Sequence, residues 1–307
     1  MRNERWICCL WLMVLVIPAW SGEDKTKTLA KGPAGKTMVF ADVALSTGVT
    51  LNYAEQGRGK KNVVILLHGY LDSWFSYSEV MKNLGPEFHA IAITQRGHGD
   101  SSKPEEGYSM THFSEDIIAF MDHFGYRKAS IVGHSMGSVI AQRIAIDHPD
   151  RVKKIVLISS AADSTQNEVL LYVADAVADL DDPIPRDFVY DFQSGTAPDP
   201  ITDQFINNIV SETQKVPARI WRAALDGLLQ ANFADELYKI QAPTLMLWGD
   251  EDEIFLEADQ KQLLESIPNV RLQIYGNLNH SMNWQRPRLV ALELAAFLGT
   301  SRPKERR

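Results

Sequence analysis

The chain has 307 residues, is 45% hydrophobic and 23% charged, and carries a formal net charge of −8. That composition is ordinary for a globular protein, and the length is enough to bury a sizeable core. Acidic residues are spread along the chain and Lys and Arg form no stripe, which excludes a nucleic-acid surface; the expected partner is a small molecule.

A short basic start over residues 1–5 leads into an apolar run over 6–20. Ala19 and Ser21 then place small residues at −3 and −1 of a cut before Gly22, the layout of a secretory signal peptide over 1–21. The run is short for a membrane span, which needs roughly 20 apolar residues. An uncleaved anchor is the alternative. Both cysteines, Cys8 and Cys9, lie inside the run, so the mature chain is expected to have no disulfide, no thiolate metal site and no cysteine nucleophile. The expectation is an exported protein, periplasmic or secreted, with no stable membrane association after cleavage.

Residues 22–36 are rich in Lys, Thr and Gly and read as a flexible lead-in. Residues 38–44 and 49–55 read as a hairpin around Ser46-Thr47-Gly48. From Asn62 the run NVVILLHG is continuously β-branched or leucine, which suits a strand covered on both faces of a parallel sheet. FHAIAIT (88–94), KASIVG (128–133), VKKIVLIS (152–159), PTLMLWG (243–249) and VRLQIYG (270–276) repeat the theme. Helical patterns fall between them, near 74–84, 111–124, 136–148, 256–266 and 283–298. Strands alternating with helices imply right-handed crossovers. The expected fold is α/β: a mostly parallel eight-stranded sheet with helices on both faces. The rhythm breaks after the sixth of these strands. Residues 162–235 are helical in pattern but interrupted by Pro183, Pro185, Pro198, Pro200 and Pro217, and read as a helical lid. That leaves 37–161 and 236–299 as the core and 300–307 as a basic, solvated tail.

The stretch GHSMG places Ser135 between a strand and a helix. A serine hydroxyl is a weak nucleophile at neutral pH unless a base, a group orienting that base, and oxyanion donors surround it. A strand feeding directly into a helix gives the sharp turn that exposes such a serine, and Gly133 and Gly137 are small because side chains there would collide. One oxyanion donor is then the backbone N–H of Met136. The other is that of Tyr70, after the strand ending in LLHGY, where Gly69 permits a close turn. His68 is assigned to holding that loop through ring hydrogen bonds. The base is expected last in the chain, and His280, in GNLNHSMNW, lies in a loop beyond the last strand. His89, His112, His123 and His148 are read as surface or helix-end residues, and His134 as pointing away from Ser135. In WGDEDEIF, Asp250 suits a turn and Asp252 is the choice to orient His280; Asp163 is the fallback. Trp74, Phe75 and Trp284 are expected to line the pocket, and Trp248 to pack at its strand end.

Taken together, HGYLDSW, QRGHGDS, GHSMGS, WGDEDEIF and NHSMNW resemble the α/β-hydrolase superfamily in order and spacing, over about residues 38–298. Small-lid bacterial serine hydrolases are the similar group: carboxylesterases, enol-lactonases, carbon–carbon bond hydrolases and haloperoxidase-like perhydrolases. The resemblance implies a Ser135–His280–Asp252 triad, an acyl-enzyme, and no metal or organic cofactor. Dehalogenases and epoxide hydrolases share the outline but carry aspartate at the elbow, so Ser135 argues against both. Gln95 stands where the family often has aspartate. The expected substrate is a small or medium, largely apolar ester, lactone or thioester. Carbon–carbon cleavage or perhydrolysis on the same triad is the first alternative, and a ligand-binding protein without turnover the second.

Overall fold

The computed structural model describes residues 27–31, 37–197 and 201–299. The expected signal peptide and basic tail lie outside the described residues. One sheet of nine strands runs through the molecule in the order β1-β2-β3-β5-β4-β6-β7-β8-β9. Its strands are β1 (Lys27–Lys31), β2 (Thr37–Ala44), β3 (Thr50–Gln56), β4 (Asn62–Leu67), β5 (Phe88–Ile93), β6 (Ala129–His134), β7 (Val152–Ile158), β8 (Thr244–Gly249) and β9 (Val270–Tyr275). The first three pair antiparallel at one edge, and β4 to β9 are mutually parallel. The parallel eight-stranded expectation therefore gains a ninth strand. Lys27–Lys31, read as part of a flexible lead-in, pair with β2 in the register Lys27↔Phe40 and Thr28↔Val39. Edge pairing is made by backbone groups, so a lysine-bearing segment can join without an apolar pattern.

The central strands β5, β6 and β8 are buried at every position. Alternation sends their side chains to two cores. On one face Ile65, Ile91, Ile131, Ile155 and Met246 pack against α2 (Met110–His123) and α3 (Met136–Asp147). On the other Val64, Ala90, Val132, Val156 and Leu245 pack against α1 (Ser78–Asn83) and the last described helix (Pro287–Gly299). Continuous apolar runs are what two-sided burial requires. His89, read as a surface residue, is instead buried on β5, with its Nε2 2.7 Å from the Glu55 carboxylate on β3.

Between β7 and β8 the chain forms α4 (Glu168–Val177), α5 (Arg186–Gly195), α6 (Asp203–Thr213) and α7 (Ala218–Leu229). Asn167 and Thr202 cap two of these by accepting the N–H groups of Leu170 and Phe205. Pro185 and Pro217 sit at the N-caps of α5 and α7. Prolines that interrupt the helical pattern in sequence thus start helices, since a fixed φ and a missing N–H cost nothing there. Along α7, Ile220, Trp221, Ala224, Leu225 and Leu228 make one buried stripe. Trp221 is wholly buried, and its carbonyl accepts the Tyr70 hydroxyl at 2.6 Å, tying the helices to the loop after β4.

Candidate active site

Ser135 is the single residue between β6 and α3, at φ 52° and ψ −123°. A left-handed φ on a residue with a side chain stores about 1–3 kcal/mol. The two glycines of the motif make the turn sterically feasible. A Cβ at Gly133 would stand 2.1 Å from the Gly137 carbonyl oxygen, and one at Gly137 would stand 2.2 Å from that of Leu67. The Ser135 N–H is bonded to the Ile158 carbonyl at 3.0 Å, which fixes the turn to β7. Met136 opens α3, and N–H groups of a first helical turn have no acceptor within the helix.

β4 and β6 are adjacent and parallel, so the loop after Leu67 and the elbow emerge side by side at the carboxyl ends of the strands. Ligand sites of open α/β sheets form there. In that loop His68 is wholly buried. Its Nε2 accepts the Gln95 N–H at 3.0 Å while Nδ1 donates to the Gly69 carbonyl at 2.8 Å. The Gln95 amide also donates to the His68 carbonyl at 2.9 Å, so this side chain braces the loop. His68 spends both ring nitrogens on structure, and burial holds its pKa well below the ordinary value.

His280 and Asp252 come together from the loops after β9 and β8. The imidazole Nδ1 lies 3.0 and 3.1 Å from the two Asp252 oxygens. Asp252 is buried, and its Oδ1 also accepts from the N–H groups of Ile254 and Phe255. Burial opposes its ionisation, but His280 and these donors outweigh that cost and hold the carboxyl below its usual range. The two loops are sewn together. The Leu278 carbonyl accepts the Glu251 N–H at 3.0 Å and would stand 2.1 Å from a Cβ on Gly249. The His280 carbonyl accepts the Ser159 hydroxyl at 2.8 Å and the His134 Nε2–H at 3.0 Å.

Ser135, His280, Gly69 and Tyr70 line one cavity of about 330 Å³. Its far wall is apolar and comes from the inserted helices: Val169, Leu170, Val173, Phe192 and Leu228. Of the expected lining residues Trp284 is present, but Trp74 and Phe75 are not among those lining the cavity. Both lie in a single 3-10 turn capped by Ser73, which aims Trp74 at Phe40, 4.6 Å between ring centroids, and Phe75 at Phe205, 5.2 Å. Trp248 packs at its strand end and donates to the Phe255 carbonyl. Asp163 is taken up elsewhere, accepting from Thr165 and Asn232, and Asp250 accepts the Asn277 N–H at 2.8 Å to brace the neighbouring loop. The His134 ring faces the cavity and reaches across to His280.

Two cavity residues went unread in the sequence. Asp72 is a buried carboxyl on the floor, within HGYLDSW itself, and Gln193 of α5 donates to it at 3.4 Å. Burial pushes Asp72 up to about 7. Its place four residues after His68 was the available signal; nothing local marked Gln193.

Comparison with known proteins agrees with this architecture. The alpha/beta hydrolase fold family matches residues 62–287. A non-heme haloperoxidase of Rhodococcus erythropolis is 28% identical over 278 residues, 83% of this chain and 98% of that protein. Epoxide hydrolase 4 of Mus musculus is 25% identical over 283 residues, 82% of this chain and 77% of that protein. In three dimensions, the enol-lactonase from Burkholderia xenovorans superposes with a TM-score of 0.75 at 20% identity, covering 84% of this chain and 100% of that one. With its strand order, elbow and family match in agreement, the chain belongs to the alpha/beta hydrolase fold family and is a hydrolase of that fold.

Proposed function

We propose that the protein is a serine hydrolase that cleaves a small or medium uncharged ester, lactone or thioester with a largely apolar acyl group. One observation carries the reading: Ser135 on its strained turn shares a cavity with His280, whose Nδ1 is held by the buried Asp252. Ser135 Oγ attacks the substrate carbonyl carbon while His280 Nε2 takes its proton, and Asp252 fixes the tautomer and steadies the imidazolium. The oxyanion is stabilised by the backbone N–H groups of Met136 and Tyr70 at the positive end of α3. His280 returns the proton to the leaving oxygen or sulfur, which departs as the acyl-enzyme forms. A water molecule then attacks that carbonyl, giving its proton to His280, and the acid leaves as Ser135 regains its hydrogen. The chain's own residues suffice for every step.

Acyl-group size follows from the apolar wall of Leu170, Val173, Phe192 and Leu228. The lining holds the exposed carboxylates of Glu251 and Glu253, and among the described residues no Lys or Arg. An anionic substrate would be repelled there. The decisive measurement is turnover of p-nitrophenyl esters of increasing chain length by wild type and Ser135→Ala. Loss of several orders of magnitude in the variant, with an unchanged melt, is expected; equal turnover would sink the reading. Similarity to a haloperoxidase favours one second reading, in which hydrogen peroxide replaces water in deacylation and yields a peracid. Peracid formation from acetate esters with added peroxide distinguishes the two. Export is proposed as well, from the apolar run over 6–20 and the Ala19-x-Ser21 boundary. N-terminal sequencing of the native protein should begin at or near Gly22, and intact residues 1–20 would refute it.

A further inference from the structure

Asp72 and His134 each have an atom that the triad does not use. His134 is 2% exposed and Asp72 3%. The His134 Nε2–H donates to the His280 carbonyl, so its Nδ1 carries a bare lone pair, and no partner meets that atom. On Asp72 the Oδ1 atom accepts from Gln193, and the Ser76 hydroxyl and the Gly69 N–H also face the carboxyl. A Cβ built on Gly69 would stand 3.1 Å from His134 Nδ1, 3.2 Å from Asp72 Oδ2 and 3.3 Å from Ser135 Cβ. Asp72 Oδ2 and His134 Nδ1 therefore both lie close against Gly69 on the side of Ser135, and all four residues line the cavity. Leaving a buried acceptor unpaired is costly, so the bare His134 Nδ1, with the Asp72 carboxyl beside it, marks a place for a polar ligand atom.

We propose that Asp72 and His134 form a polar subsite beside Ser135 that binds a hydroxyl group on the substrate's acyl chain, two or three bonds from the carbonyl carbon. The proposal rests on the acyl-transfer reading of Ser135. Chemistry selects a hydroxyl. His134 Nδ1 can only accept, so its ligand must donate. With burial pushing Asp72 up to about 7, near neutrality its carboxyl both donates and accepts. A hydroxyl donates one bond and accepts another and so matches both at once; a methyl group would leave His134 Nδ1 unpaired. The subsite is also rigid. Gln193 donates to the Thr213 hydroxyl at 2.7 Å, and that hydroxyl donates to the Leu71 carbonyl at 3.0 Å, locking α5 and α6 to the loop that carries Asp72. Leu71 is itself held at φ 67° in that loop.

The test compares p-nitrophenyl 3-hydroxybutyrate, as both enantiomers, with its near-isostere p-nitrophenyl 3-methylbutyrate. The readout is the ratio of the two kcat/KM values within each protein, which cancels any loss of folded enzyme. For one enantiomer the wild-type ratio should exceed that of Asp72→Leu by about tenfold, with Asp72→Asn between them because an amide still donates and accepts. A purely structural Asp72 would lower both rates together and leave the ratio unmoved, and that result overturns the proposal. A second arm needs no turnover. Ser135→Ala should bind 3-hydroxybutyramide about tenfold more tightly than 3-methylbutyramide by calorimetry, and Asp72→Leu added to it should abolish the difference. Equal affinities in Ser135→Ala refute the subsite. Failure of wild type to hydrolyse either ester, with the binding difference intact, would fault the acyl-transfer reading alone.

Discussion

At Ser135 the backbone and the chemistry pull against each other. The turn demands a conformation that glycine adopts freely, yet the residue carries the oxygen that the proposed reaction needs. Ser135→Gly should therefore raise stability by about 1–3 kcal/mol while abolishing ester turnover, read by urea titration and a p-nitrophenyl assay. The Asp252–His280 pair shows the opposite balance, since both partners gain. Asp252→Asn should cut kcat by about four orders of magnitude with little effect on fold, because His280 loses the carboxylate that sets its tautomer. Asp250→Asn should leave kcat within a few-fold. A dead Asp250→Asn would mean the acid has been misassigned. Asp72 gives a stability signature of its own. Its carboxyl is raised from the ordinary 3.8 to about 7 when folded, so the native protein holds a proton that the unfolded chain has already released. Stability is thus lost as pH rises from about 4 to about 7 and stays level above that. Asp72→Asn should match wild type below about pH 4 and melt higher at about pH 8, as seen by calorimetry at both.

Elements set the tolerances within which those residues work. The elbow exists because α3 lies hard against the ends of β4 and β6, with no room for a methyl group at Gly133 or Gly137. Gly137→Ala forces a carbon to within 2.2 Å of the Leu67 carbonyl oxygen. It should cost about 1–3 kcal/mol or more and misplace Ser135 and the Met136 N–H together. A denaturation midpoint and ester kcat measured on the same sample should therefore both fall. In the inserted helices Trp221 is the anchor, wholly buried among Tyr70, Phe188 and Phe192. This stripe holds one wall of the cavity and, through the Tyr70 hydroxyl, one side of the loop beside Ser135.

Across the whole molecule charge is the relevant quantity. The chain is acidic overall, and Glu251 and Glu253 lie exposed on the cavity lining. A succinate half-ester should be cleaved more slowly than the matching butyrate ester, and added salt should narrow the gap because exposed charges are screened within about 10 Å at 0.1 M. Glu251→Gln with Glu253→Gln should narrow it as well; a gap indifferent to both would remove charge from the account of specificity.

The strands, the helices between them and the order of the triad candidates were legible because each depends on local pattern. Two-sided burial writes itself as runs such as NVVILL, and a sharp strand–helix turn writes itself as glycines flanking Ser135. His280 and Asp252 could be chosen by chain order alone, and the structure brings their side chains to hydrogen-bond distance. What faces the cavity could not be read the same way. Trp74 and Phe75 were the right residue types, but a 3-10 turn directs their rings to Phe40 and Phe205. β1 joins the sheet through backbone pairing, which leaves little trace in side-chain pattern. Asp72 and Gln193 meet across 121 residues, and His134 reaches the cavity from a different strand end. The direction of a side chain into a shared space depends on elements distant in sequence, and only the folded chain decides it.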